Sequence, residues 1–189
     1  LAFALCRRGL GLDDEGAMLS SAASILQGKL PYRDIDMFVT PAAFYLNAAI
    51  FAVTGPSVIA TRIAAAGCLL ATMAVTRRIV RTCGGPLWGD LAAGLIAIFA
   101  VWAWPTWTWS FYSPWATLFS MTALACTLDW MGTRRRSRLV GCGVALGVAI
   151  AFKQNYGAFA AVGCGLAVLL DELAVSTGAE STWRKTASR

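Results

Sequence analysis

The sequence has no histidine and few charged side chains, and each shortage disfavours a class of protein. Without histidine, a zinc site has only cysteine and carboxylate ligands to draw on, and none of the six cysteines forms a CxxC pair. Charged residues make up only 14% of the 189 positions, whereas a water-soluble domain usually carries about a quarter. A soluble enzyme and a disordered region are therefore both disfavoured.

Most residues of the chain are apolar. They account for 58% of the chain, and the mean hydropathy is +0.62. The 16 Lys and Arg residues outnumber the 10 Asp and Glu residues, but they lie in short clusters between apolar runs, which is typical of a multi-pass membrane protein and not of a nucleic-acid-binding one. We interpret the cysteines as small apolar packing residues: Cys6, Cys68, Cys83, Cys126, Cys142 and Cys164.

Four apolar stretches approach or exceed the roughly 20 residues that a helix needs to cross a membrane. Three of them cover residues 58–75, 87–104 and 114–131. The fourth, 139–170, would be about 48 Å long as one helix, too long for a single crossing. Because Lys153-Gln154-Asn155-Tyr156 interrupts it, we expect a hairpin of two short helices with this polar segment at its tip.

Charge sets the predicted orientation. Arginines follow the first and third spans and a basic group ends the chain, whereas the connection 105–113 has no Lys or Arg. This alternation places the arginines in the cytoplasm and a tryptophan-rich belt at the outer interface. We therefore expect the chain to consist of three parts: the end of an earlier span with an outer loop (1–57), a transmembrane region (58–170) and a cytoplasmic segment (171–189). Within the outer loop we expect an amphipathic helix over 16–27 and an interfacial or re-entrant helix over 41–54.

An acidic run, Asp13-Asp14-Glu15, precedes the amphipathic helix. Helix capping and the helix dipole account for one or two of these carboxylates. Three in a row repel one another unless a cation or a substrate hydroxyl engages them.

Three further charged residues allow a structural and a functional interpretation. Asp34 and Asp36 suit a turn beside Pro31, or the binding of an acceptor or a cation. Arg62, near a membrane boundary, suits either snorkelling to the lipid headgroups or pairing with the loop carboxylates.

The order and spacing of the outer-loop motifs closely resemble the start of bacterial GT-C glycosyltransferases, in the family-39, protein-mannosyltransferase-like and rhizobial lipopolysaccharide-transferase-like branch. The resemblance covers residues 13 to about 170. It rests on Asp14-Glu15-Gly16, Ile25-Leu26-Gln27-Gly28, Leu30-Pro31-Tyr32-Arg33-Asp34, the run from Pro41 to Leu46, the run from Phe51 to Ser57, and Arg62.

This resemblance implies an all-α, multi-span enzyme on the outer side of the bacterial cytoplasmic membrane. Its donor would be a polyprenyl-phosphate sugar and its acceptor a glycan, a lipid or a protein, with inversion at the anomeric carbon. Asp14 matches the acid that deprotonates the acceptor hydroxyl, and Glu15 matches the neighbouring acid; Asp13, Asp34, Asp36 and Arg62 would contribute to substrate binding. A positioned carboxylate suits general-base work on a weakly nucleophilic hydroxyl. We also expect the chain to be the N-terminal portion of the enzyme.

The chain departs from the family pattern in two places. Many members carry a lysine before the proline at the start of the second loop helix, but 38–41 reads Phe-Val-Thr-Pro. We assign the missing phosphate contact to Lys153, with hydrogen bonds from Gln154 and Asn155, against the alternative that Lys153 snorkels to lipid headgroups. The connection 105–113 lacks the second acid and the histidine of some relatives. A bound divalent cation therefore cannot be assumed, and the question of a metal is left open.

A transporter or flippase of lipid-linked intermediates is the main alternative function. Transporters usually carry polar groups within their spans, whereas these spans are nearly free of them and the acids gather in the outer loop, which favours the enzyme. A non-catalytic partner in the assembly of a glycan is a third hypothesis for the function. The sequence identifies neither the sugar nor the acceptor.

Overall fold

The computed structural model describes residues 14–37, 39–102 and 109–177, and within them it contains seven α-helices and no strand. The prediction of an all-α fold is confirmed for this part of the chain. The helices are α1 (Asp14–Leu26), α2 (Ala42–Thr54), α3 (Val58–Gly84), α4 (Pro86–Trp102), α5 (Tyr112–Thr133), α6 (Arg136–Phe152) and α7 (Gln154–Ser176).

The two short helices of the first loop are confirmed close to their predicted bounds. α1 has Asp14 and Glu15 in its first turn, where carboxylates suit the positive end of the helix dipole. It ends before Gly28, whose φ of +88° is the left-handed conformation favoured in helix C-terminal caps. α2 ends in the same way at Gly55, which donates its N–H to the Phe51 carbonyl oxygen at 2.9 Å.

The first long helix extends further than the hydropathy of the sequence predicts. We expected the span to end at residue 75, but α3 continues through its arginines to Gly84. Arginine is a good helix former, so a charge that ends an apolar run does not end the helix. Ser57 caps its start by accepting from the Ala60 N–H at 3.3 Å, and Gly85 follows its end at φ +91°.

The predicted helical hairpin is confirmed, with one correction to its size. Lys153 alone, in an extended conformation, separates α6 from α7. The arms are antiparallel, because Cys142 and Cys164 share one buried cluster and Arg134 pairs with Asp171 at the far end. The second arm is not short: α7 has 23 residues, because Asp171 and Glu172 extend the helix beyond the apolar run.

The arms approach each other most closely near the tip of the hairpin. A Cβ atom on Gly157 would lie 2.5 Å from the backbone nitrogen of Ile150. Only glycine fits there without a shift of the chain, so Gly157 permits the sharp reversal at Lys153.

Ion pairs lie at both ends of the bundle. At one end Arg78 and Arg138 share Asp129; at the other, Arg62 pairs with Glu15. Along α3 the rise from Arg62 to Arg78 is about 24 Å. The helices therefore present two charged ends with an apolar section between them.

Large apolar side chains lie on the outside of the bundle, and its interior contains polar as well as apolar residues. The largest fully buried side chains are Asn47, Thr61 and Thr127, whereas Phe159 and Val140 are 77% and 66% exposed. α3 and α7 are long and apolar enough to cross a membrane, and only 11% of the most apolar part of α7 is buried. Small residues at helix contacts and large apolar residues outside are typical of helix packing in membranes.

The cysteine prediction holds for three residues and is wrong for one. Cys68, Cys142 and Cys164 are buried packing residues, and Cys126 is partly buried. Cys83 is exposed near the end of α3, in the part of the helix that carries the arginines. Cys6 lies outside the described residues.

Candidate functional site

Asp14 lines a cleft of about 400 Å³ at the Glu15–Arg62 end of the bundle. The aspartate stands at the start of α1, and the other walls come from the start of α5 and the first turn of α7. The cleft thus lies where three helices begin. Its remaining lining residues are Phe111, Tyr112, Ser113, Pro114, Thr117 and Tyr156.

Lys153 is bound to the wall of this cleft. Its Nζ donates a hydrogen bond to Ser113 Oγ at 2.9 Å. The same ammonium lies 5.0 Å from the ring centre of Tyr112 and 4.6 Å from that of Tyr156, which are cation–π distances. Lys153 does not itself line the cleft, but it contacts three of the residues that do, so the structure places it behind the wall of the cleft that Asp14 lines.

The two polar neighbours of Lys153 are exposed. Gln154 begins α7, and Asn155 accepts a hydrogen bond from the Tyr156 N–H at 3.0 Å, which helps to satisfy the first turn of the helix. Neither residue lines the cleft. Their assignment to the donor phosphate stays a prediction.

Glu15 and Arg62 form a buried ion pair next to Asp14. The carboxylate is 4% exposed and the arginine 2%. Arg62 Nε donates to Glu15 Oε1 at 2.7 Å, and a second guanidinium nitrogen donates to Oε2 at 2.5 Å. Of the two interpretations of Arg62, pairing with a loop carboxylate is confirmed.

This pair determines what Glu15 contributes to the site. Its carboxylate is held by Arg62 and does not line the cleft that Asp14 lines. The pair fixes the first turn of α1 to the second turn of α3, and so fixes the backbone that carries Asp14. Asp13, the third acid of the run, lies outside the described residues.

The fully buried side chain of Asn47, which the sequence-based predictions did not include, links two segments near the cleft. Asn47 Nδ2 donates to the Ser110 carbonyl oxygen at 3.1 Å, which ties α2 to the segment before α5. Trp115 Nε1 donates to Ser110 Oγ at 3.4 Å. The available signal was the single amide inside the apolar stretch 41–54. Around it, Phe44 packs in one buried cluster with Met18, Ala43, Ala116 and Phe152.

Asp34 and Asp36 lie away from the cleft. Asp34 Oδ2 accepts from the Leu30 N–H at 2.8 Å, and Arg33 donates to both carboxylate oxygens. The hydrogen bond from Arg33, followed by that from Leu30, lowers the pKa of Asp34 to about 2. The turn interpretation thus describes Asp34. Asp36 is exposed, and neither residue lines the cleft.

No group of three potential metal ligands (His, Cys, Asp or Glu) occurs among residues 14–37, 39–102 and 109–177. The chemistry available at the cleft is therefore that of a carboxylate, an ammonium, hydroxyls and aromatic rings. Comparison of the chain with protein-family models, with curated proteins and with solved structures gives no match.

Proposed function

We propose that this chain is part of a multi-pass protein of the bacterial cytoplasmic membrane, with the Asp14 cleft facing outward. Three observations support the proposal: two helices of sufficient length and hydropathy, large apolar side chains on the outside of the bundle, and charges gathered at its two ends. The separation of about 24 Å between these charged ends along α3 is close to the roughly 30 Å of a hydrocarbon core.

Thiol labelling tests this orientation. In a variant without the native cysteines, a single cysteine replacing the exposed Asn155 is expected to react with a membrane-impermeant reagent added to intact cells. A cysteine replacing the exposed Ser137, at the arginine end, is expected to react only after the membrane is opened. The reverse pattern would invert the topology.

We further propose that the protein is a glycosyltransferase, which moves a sugar from a polyprenyl-phosphate donor to a hydroxyl of a glycan, lipid or protein acceptor. The observation that carries this proposal is that Asp14 lines a cleft and that Lys153 donates to Ser113, another residue of its lining. One supplies a proton acceptor and the other a cation. These are the two functions that a displacement at a phosphate-activated sugar requires.

The proposed reaction is a single displacement with inversion. Asp14 accepts the proton of the acceptor hydroxyl while the hydroxyl oxygen bonds to the anomeric carbon. The bond from that carbon to the phosphate oxygen breaks, and its electron pair leaves with the polyprenyl phosphate. The ammonium of Lys153 stabilises the negative charge that develops on this leaving group.

The alternative of a transporter or flippase receives less support from the position of the cleft. Substrate sites of transporters typically lie near the middle of the membrane, between broken helices. Here the cleft lies among helix starts at one end. The buried threonines Thr72 and Thr127 each donate to a carbonyl oxygen one turn earlier in their own helix. They therefore do not form a polar path through the bundle.

A donor titration tests the role of Lys153 and the proposed function together. Membranes containing the intact protein are supplied with a polyprenyl-phosphate sugar labelled in the sugar, and transfer to an endogenous acceptor is measured. Lys153→Met is expected to raise the KM for the donor at least tenfold, because the phosphate loses its cation. Lys153→Arg is expected to recover part of this loss, since arginine also pairs with phosphate.

The matched control is Arg136→Met, an exposed cation at the opposite end of the bundle. This change is expected to leave the KM for the donor unaltered. Donor use by Lys153→Met equal to that of the unsubstituted protein at sub-saturating donor would reduce Lys153 to a membrane anchor. Absence of transfer by the unsubstituted protein from every polyprenyl-phosphate sugar tried would contradict the glycosyltransferase proposal itself.

A further inference from the structure

One face of α3 is left uncovered by the bundle. Its exposed residues recur every three or four positions, so they form a single stripe along the helix. Ile63 and Leu70 on this stripe are 46% and 56% exposed. Other faces of α3 pack against α4 and α5.

The stripe ends in a basic cavity of about 310 Å³, lined by Ala74, Arg77, Arg78, Arg81 and Thr82. Arg77 donates to Asp90 of α4, and Arg78 donates to Asp129 of α5. Arg81 is exposed and forms no ion pair with any residue in the described part of the chain. The cavity therefore has more guanidinium groups than carboxylates, and it complements an anion.

The rest of the stripe is an open apolar surface. Gly67 is exposed, and a Cβ atom added there would have no other atom within 4 Å. Ala74 is exposed between Leu70 and the arginines. From Ile63 to Arg77 the stripe is about 21 Å long, which exceeds half of a hydrocarbon core of about 30 Å.

We propose that this stripe binds an anionic phospholipid, with its headgroup phosphate at Arg81 and an acyl chain along Leu70 and Gly67. A free phosphate would match the basic cavity but leave the exposed apolar stripe uncovered, and a zwitterionic lipid would not match the excess charge. Basic pockets between membrane helices on the cytoplasmic side are suited to anionic headgroups. The inference rests on the proposed membrane location and not on the transferase activity.

Native mass spectrometry of the intact protein in mild detergent tests the inference. The protein is titrated with phosphatidylglycerol and with phosphatidylcholine of the same acyl chains, and we expect preferential retention of phosphatidylglycerol. Arg81→Gln is expected to weaken that retention about fivefold, as removal of one arginine near an anionic surface does. Arg136→Gln removes an exposed arginine at the same end but outside the cavity, and is expected to change it little.

A second pair of variants tests the apolar stripe without a change in charge. Gly67→Leu places a branched side chain where the acyl chain would lie, and is expected to reduce retention of both lipids by a similar factor. Gly143→Leu is the matched control, because Gly143 is also exposed and a Cβ there also has no atom within 4 Å. Arginine alone accounts for binding if Gly67→Leu and Gly143→Leu retain phosphatidylglycerol equally, and this result would overturn the two-part site.

Three other results would also overturn the inference. They are equal retention of the two lipids, equal retention of phosphatidylglycerol by Arg81→Gln and Arg136→Gln, and displacement of phosphatidylglycerol by millimolar inorganic phosphate, which would indicate a site for a soluble anion. Extraction of the protein from membranes by alkaline washing would instead contradict the membrane location. The two failures are therefore distinguishable.

Discussion

Replacement of Asp14 by asparagine is expected to lower sugar transfer by a factor of about 100 or more. Asparagine has nearly the same shape and can also accept hydrogen bonds from the free N–H groups in the first turn of α1, where Asp14 lies. It cannot take up the proton of the acceptor hydroxyl. The loss should therefore appear in kcat, with little change in the amount of folded protein or in the KM for the donor.

The control for this variant is a second carboxylate changed in the same way. Glu172→Gln lies at the opposite end of the bundle, where its partner Arg134 also pairs with Asp171. Transfer by this variant is expected to stay within about twofold of normal, since a partly exposed ion pair stabilises a protein only slightly. Near-normal turnover by Asp14→Asn, alongside loss of turnover in Asp13→Asn, would show that the motif has been aligned one residue out of place.

Removal of one partner of the Glu15–Arg62 pair is expected to produce the largest change in stability. With both side chains almost fully buried, Arg62→Met leaves a carboxylate without its cation, at a cost of about 3–5 kcal/mol. The expected result is a lower Tm in detergent and less protein in the membrane. Transfer should fall along with folded protein, because the pair holds the backbone that carries Asp14.

A double variant separates the buried charge from the packing. Glu15→Gln/Arg62→Met removes both charges, and its Tm is expected to lie above that of Arg62→Met alone. A Lys substitution at Arg62 keeps the charge but loses the two-point contact, so its Tm should fall between those of the unsubstituted protein and Arg62→Met. If the double variant is as unstable as the sum of the two single ones, the two residues do not act as a pair.

Local signals in the sequence were enough to predict most of the helices. The amphipathic pattern before Gly28, the apolar run before Gly55 and the polar break at Lys153 each act over a few residues, and the helix or break that each predicts is present. The end of α3 was misplaced because hydropathy records where the chain is apolar, whereas helix formation continues through arginine.

The partnerships at the site depend on tertiary packing and were harder to predict. Pairing of Arg62 with a loop carboxylate was one of two interpretations, but nothing near Glu15 in the sequence indicates that Glu15 is the carboxylate that Arg62 holds. The contact of Lys153 with Ser113 likewise depends on how α5 lies against the hairpin. Asn47 and Ser110 were missed because one buried amide gives no periodic pattern.

The one-residue break at Lys153 also constrains the biogenesis of the protein. Two helices joined by a longer loop can enter the bilayer one after the other, but α6 and α7 leave no linker to remain in water between the two events. In the proposed topology they would be inserted as a unit, and the charged tip would be carried across the hydrocarbon with them. α5 precedes them in synthesis and carries Tyr112 and Ser113, which contact the ammonium in the folded protein. In that topology the partners of Lys153 on α5 would be made before the charge that they contact.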